Sequence, residues 1–246
     1  MANKGKRPLS PTEGGRVEES ERHLRDLGSN RLSGPQRARP LHIATWLGEQ
    51  EAVGSLLSGG ADPNGVARQQ HSPLHVAAYL GRTGIAEQLL EAGARAEALT
   101  KEGWTPLHFA ALKGHASLVG LLLRSGANPY ARVASDKRPG GFSALQLAIR
   151  SGDIECIQTL KDTVGQAGIF TRAFRNQGLS SEAEGYTALD FAALSENPEV
   201  LRVLLEGCTV PDRPMPASEF QYTALQRAAR GGSLEVVKML VTLRPK

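Results

Sequence analysis

This sequence predicts an all-α solenoid of about six helix-turn-helix units joined by short β-turn or hairpin connections, and three observations predict it. The tetrapeptide Arg39-Pro40-Leu41-His42 returns as Ser72-Pro73-Leu74-His75 and again as Thr105-Pro106-Leu107-His108, with the leucines 33 residues apart each time. A constant period of that length marks stacked repeats rather than one closed core. Aromatic residues make up only 5% of the chain while glycine occurs 27 times, a balance that suits short helical pairs separated by tight turns. Within the third unit the helix start and stop signals stand in order around two apolar runs.

Aligned on the recurring leucine, the units begin near Leu41, Leu74, Leu107, Leu145, Leu189 and Leu225, at intervals of 33, 33, 38, 44 and 36. In the third unit Thr105 is placed to cap a helix and Pro106 to open its first turn. Leu107, Phe109, Ala110 and Ala111 follow on a packing side, and Gly114-His115 breaks the helix. Leu118, Val119, Leu121 and Leu122 supply the apolar face of a second helix, and Gly126 ends it as a left-handed cap. Neither helix is long enough to stand alone in water. Stacking buries the apolar faces, and stability becomes a sum of repeat and neighbour terms.

The segments Ser72-Pro73-Leu74-His75-Val76-Ala77-Ala78 and Thr105-Pro106-Leu107-His108-Phe109-Ala110-Ala111 resemble the ankyrin repeat, as do Leu89-Leu90-Glu91-Ala92-Gly93-Ala94 and Gly60-Ala61-Asp62-Pro63-Asn64. The resemblance covers about residues 39–243, with repeats near 39–71, 72–104, 105–142, 143–186, 187–222 and 223–243. Units four to six open with Ser143-Ala144-Leu145-Gln146, Thr187-Ala188-Leu189-Asp190 and Thr223-Ala224-Leu225-Gln226. They lose both Pro and His but keep the cap and the buried Leu, so the fold is expected to continue there with looser turns. Arg39 replaces the capping hydroxyl in unit one, which weakens that helix start.

Three insertions interrupt the period: residues 132–142, 164–186 and 208–222. The first and third are rich in Gly or Pro and are expected to be disordered. The second holds Ile169, Phe170 and Phe174 beside Arg172 and Arg175, enough apolar bulk to dock on the stack. Ahead of the repeats, residues 1–15 read as a disordered basic tail and residues 16–38 as a candidate capping helix and linker for the open end of unit one. At the other end Val236, Val237, Met239, Leu240 and Val241 stay apolar where a terminal repeat usually turns polar. That leaves three alternatives: a frayed end, pairing with a second chain, or an early stop.

The remaining composition narrows the function. With 40% hydrophobic and 22% charged residues the chain has material for a sizeable core. No run approaches the roughly 18 apolar residues a membrane span needs, and the basic N-terminus has no apolar stretch behind it. Residues 1–39 carry nine Lys/Arg against five Asp/Glu, which accounts for the whole formal charge of +4. A neutral body argues against nucleic acid, which needs a basic face. Cys156 and Cys208 lack any metal-type spacing and read as small buried hydrophobes in a reducing compartment. His42, His75 and His108 recur one per unit, on helices roughly 8–10 Å apart, too far to share an ion with ligands about 2 Å away. The resemblance assigns them instead to hydrogen bonds with turn backbone. No nucleophile elbow, phosphate loop or zinc-protease motif is present, so neither catalysis nor a cofactor, metal or small-molecule substrate is expected.

The resemblance also implies a binding side. The two residues after each Ala pair face the concave groove of such stacks: Trp46 and Leu47, Tyr79 and Leu80, Leu112 and Lys113, then Arg150. Arg68, Lys101 and Trp104 lie at the turn tips that flank the groove. The expectation is an exposed apolar ladder of Trp46, Tyr79 and Leu112 that grips a protein partner. The expected function is a non-catalytic scaffold or adaptor, monomeric unless its C-terminal end pairs, in the cytoplasm or nucleus. The alternative is a targeting or regulatory subunit, or a microbial effector, whose repeats bind a partner while the basic tail directs localisation.

Overall fold

The computed structural model describes residues 40–133, 141–170, 187–195, 197–206, 224–231 and 233–242. Twelve α-helices run through them in six pairs: α1 (Pro40–Leu47) and α2 (Gln50–Ser58), α3 (Pro73–Leu80) and α4 (Thr83–Glu91), α5 (Pro106–Lys113) and α6 (Ala116–Arg124), α7 (Ala144–Ser151) and α8 (Ile154–Phe170), α9 (Ala188–Leu194) and α10 (Pro198–Leu205), α11 (Ala224–Gly231) and α12 (Leu234–Thr242). First helices pack on first helices and second on second, from each unit to the next along all six pairs. Among the described residues there is no strand; one antiparallel bridge joins Arg132 to Ser143. The predicted all-α solenoid is the fold observed.

The caps explain why each first helix starts where it does. Ser72 and Thr105 each close a reciprocal capping box with the histidine three residues on. His75 Nδ1 accepts the Ser72 N–H at 3.1 Å, and His108 Nδ1 accepts that of Thr105 at 3.1 Å. In units four and five the histidine is gone but its capping role survives. Gln146 Oε1 accepts the Ser143 N–H at 2.9 Å, and Asp190 Oδ2 accepts the Thr187 N–H at 2.8 Å. The drift in sequence therefore keeps the helix starts.

That nitrogen ties turns to helices. With Nδ1 occupied as an acceptor, the proton sits on Nε2. His75 Nε2–H then reaches the carbonyls of Ala98 at 3.0 Å and Trp104 at 3.1 Å. His108 Nε2–H reaches Ala131 at 3.0 Å, and His42 Nε2 lies 3.0 Å from the His71 carbonyl. Each turn is thus pinned to the start of the first helix beside it. Adjacent turns also bond each other, Lys101 N–H to the Gln69 carbonyl at 2.9 Å.

Glycine closes the joints between helices. Gly81 and Gly114 adopt φ of +69° and +72°, a region costly for any residue with a Cβ. Space forbids a side chain as well: a Cβ at Gly81 would lie 2.7 Å from the His115 ring of the next unit.

The core is one continuous seam. Leu74, Val76, Phe109, Leu118, Leu122, Ile157, Leu160, Val200 and Leu204 are buried along it. Phe109 sits at its densest aromatic point, stacked on Trp104 with centroids 4.9 Å apart and edge-on to His75 and Tyr79. Cys156 is buried as expected, and burial pushes its thiol up to about 12, with Asp153 and Glu155 adding to the shift. A thiol held protonated is inert. Lys161 is also buried; its ammonium donates to the Val203 carbonyl at 2.7 Å, in the last turn of α10, where a cation meets the negative end of the helix.

One expectation changes. The second insertion does not begin as a loop: α8 continues to Phe170 through a break at Gly165, where φ is 61° and ψ −169°. At the C-terminal end Val236 is buried and Val237, Met239 and Leu240 are half-buried, while Leu234 and Val241 are exposed. The tail and cap expected over residues 1–38, Arg39, Cys208, the remainder of the second insertion and the third insertion lie outside the described residues.

Candidate partner-binding groove

Two rows of equivalent positions recur from unit to unit along the stack. One row is the last turn of each first helix, holding Trp46 and Leu47, Tyr79 and Leu80, Leu112 and Lys113, then Arg150. The other runs along the turns at Val66, Leu99 and Arg132. In these turns Ala67 N–H bonds the His71 carbonyl, Thr100 N–H that of Trp104, and Val133 N–H that of Phe142. Thr100 and Val133 point inward and are buried, so alternation turns their predecessors Leu99 and Arg132 outward. The histidine bonds to Ala98 and Ala131 hold those predecessors beside the first helices.

The exposed apolar residues are not the expected ones. Tyr79 is 9% exposed and Leu112 is buried, so the ladder predicted from them is corrected. The cause is the next unit: Phe109 meets the Tyr79 ring edge-on, and the Lys113 ammonium lies 4.5 Å over its face. Trp104 is corrected from a turn-tip contact to a core residue, 2% exposed beneath Phe109. Trp46 and Leu80 are half-buried against the core. Leu47 alone among the predicted apolar residues stands clear, at 61% exposed. Lys101 is exposed; Lys113 and Arg150 are half-buried. Arg68 opens a short 3-10 turn, Arg68–Gln70, and its side chain falls outside the described residues.

Sequence reasoning missed Val66 and Leu99, which are 46% and 57% exposed. The signal was there: they are 33 residues apart, and both are bulky and apolar in a turn. It also missed Ile43. Its counterparts Val76, Phe109 and Leu147 are sealed by the preceding unit, whereas Ile43 is 38% exposed at the first described unit.

Burial, with repulsion from His71 and His42, pushes His75 down to about 3. Burial pushes His108 down to about 4, against the opposing hydrogen bond to Ala131. Both rings are neutral structural ties at physiological pH. Among the described residues no group of three His, Cys, Asp or Glu side chains is placed to hold a metal ion.

A repeated two-helix unit with capped starts, glycine joints and histidine-tethered turns defines a repeat scaffold. The family model for ankyrin repeats (3 copies) matches residues 41–133, 74–171, 132–214 and 175–245. The chain belongs to the ankyrin-repeat family, whose repeats are in general protein–protein interaction modules. A comparison with the curated proteins finds no match. No helix among the described residues is long and apolar enough to cross a membrane.

Proposed function

We propose that the chain is a non-catalytic adaptor that holds a protein partner in the groove of units one to four. The observation that carries this reading is the exposure of three aliphatic side chains at repeat-equivalent positions, Leu47 at the end of a first helix and Val66 and Leu99 on the turns. A preformed surface loses little ordering entropy on binding, and adjacent exposed apolar groups mark interaction sites. Lys101, Lys113 and Arg150 border the row and supply a polar rim. Trp46 and Leu80 contribute their open edges, while Tyr79 and Leu112 act from beneath as support. The setting we propose is the cytoplasm or nucleus, where a buried free thiol such as Cys156 stays reduced.

The test is a paired capture experiment. A Leu47→Asp, Leu99→Asp chain is expected to keep the wild-type melting temperature, since both side chains project into solvent. It is expected to lose the proteins that the wild type retains. Undiminished retention by the folded variant contradicts the groove.

A further inference from the structure

The charges around the groove are segregated. The body of the chain is neutral overall, but among the described residues the turn ends and the last turns of the first helices carry Lys101, Lys113, Arg132, Arg150 and Arg230 against Glu102, with Asp62 and Glu97 earlier in the same turns. The second helices of units one to four carry mostly acids: Glu51, Glu87, Glu91, Glu155 and Asp162 are exposed there, beside the exposed Arg124. The groove also changes character along its length. Leu47, Val66 and Leu99 make its first half aliphatic, and the cations gather from Lys101 onward through units three and four.

We propose that the occupant of this groove is an extended acidic polypeptide segment, with aliphatic residues at one end seated on Leu47, Val66 and Leu99 and carboxylates at the other facing Lys101, Arg132 and Arg150. The proposal rests on the adaptor reading above and names the chemistry of its partner. Charge complementarity selects acid over base, because a basic segment would set like charges together at several positions. The aliphatic half selects polypeptide over nucleic acid. Single-stranded nucleic acid stacks its bases on exposed aromatic faces, and of the groove's rings Tyr79 and Trp104 are buried and Trp46 is half-buried. The dimensions agree: four units about 10 Å apart span about 30 Å, the length of roughly 9 extended residues at ~3.3 Å each.

The test is selection of random peptides roughly 9 residues long, displayed on phage, against the full wild-type chain. Selected peptides are then measured against two folded variants, Leu47→Asp with Leu99→Asp, and Lys101→Glu with Arg150→Glu. The expected result is enrichment of net-acidic peptides containing Leu, Ile or Val. Their affinity should fall about tenfold or more in each variant and weaken with added salt. Peptides that bind the wild type, lose affinity in the Leu47/Leu99 variant and are neutral or basic overturn the acidic partner and leave the groove standing. Peptides that bind both variants as well as the wild type, or no enrichment at all, overturn the groove and the proposal together. Tighter binding of an oligothymidylate or oligouridylate of similar length than of any selected peptide assigns the cations to nucleic acid and also overturns the proposal.

Discussion

Acidification from pH 7 to pH 4 is expected to destabilise the array by about 3 kcal/mol for each of His75 and His108. Their pKa values in the folded chain are about 3 and about 4, against 6.5 for an ordinary histidine. Above pH 6.5 both folded and unfolded rings are neutral and the tethers act in full. Between pH 6.5 and the folded values the unfolded chain takes up protons that the folded chain refuses, so stability falls as pH falls. The loss is complete once pH has passed through the folded values. The physical cause is visible: a protonated Nδ1 can no longer accept the Ser72 or Thr105 N–H, and a charge would sit in a sealed interface. Carboxylates also titrate near pH 4, so the comparison needs a control with the same fold. His75→Gln with His108→Gln supplies it, because Gln146 shows that glutamine closes the same capping box. That variant is expected to be less stable at pH 7, having lost the bonds to Ala98 and Ala131. Its stability should fall several kcal/mol less than the wild type's between pH 7 and pH 4, as measured by urea unfolding at each pH. Parallel pH profiles would remove the histidines from the explanation.

Truncating Phe109 to Ala is expected to cost about 3–5 kcal/mol. The ring is fully buried, stacked on Trp104 and in edge contact with His75 and Tyr79. It therefore joins the second unit to the third. Because each unit contacts only its neighbours, losing this joint weakens the link between α3 and α5 more than any contact within a unit. Urea unfolding of the variant is expected to shift to lower denaturant and to split into two transitions, the later units separating from the first two. A loss below about 1 kcal/mol would mean that the cavity collapses without cost and that the aromatic cluster is not the joint.

The fold was legible in the sequence because its determinants are local and periodic. The capping hydroxyls, the proline at the first turn and the αL glycines each act within a few residues, and the period of 33 fixes which residues repeat. The loss of His in unit four was legible as drift, but not its consequence: Gln146 and Asp190 conserve the cap by chemistry, not by identity. The exposure of the proposed groove was less legible. Counting two residues past each Ala pair does not say whether the next unit covers that position. Tyr79 is covered because Phe109 and Lys113 arrive from unit three, and Trp104 because it lies beneath Phe109. Val66 and Leu99 could have been found from the alternation with Ala67 and Thr100, which marks one residue in and its predecessor out. The continuation of α8 past Val164 was not legible, since Gly165 reads as a stop and the chain instead bends there and resumes a helix.

The most direct test of the account is hydrogen exchange on the full chain with and without a peptide selected against it. The account predicts added protection at residues 65–71 and 98–104 and at the last turns of α1, α3 and α5, with α2, α4 and α6 unchanged. Protection of the second helices, with the turns exchanging as before, would place the binding surface on the opposite side of the stack and contradict it.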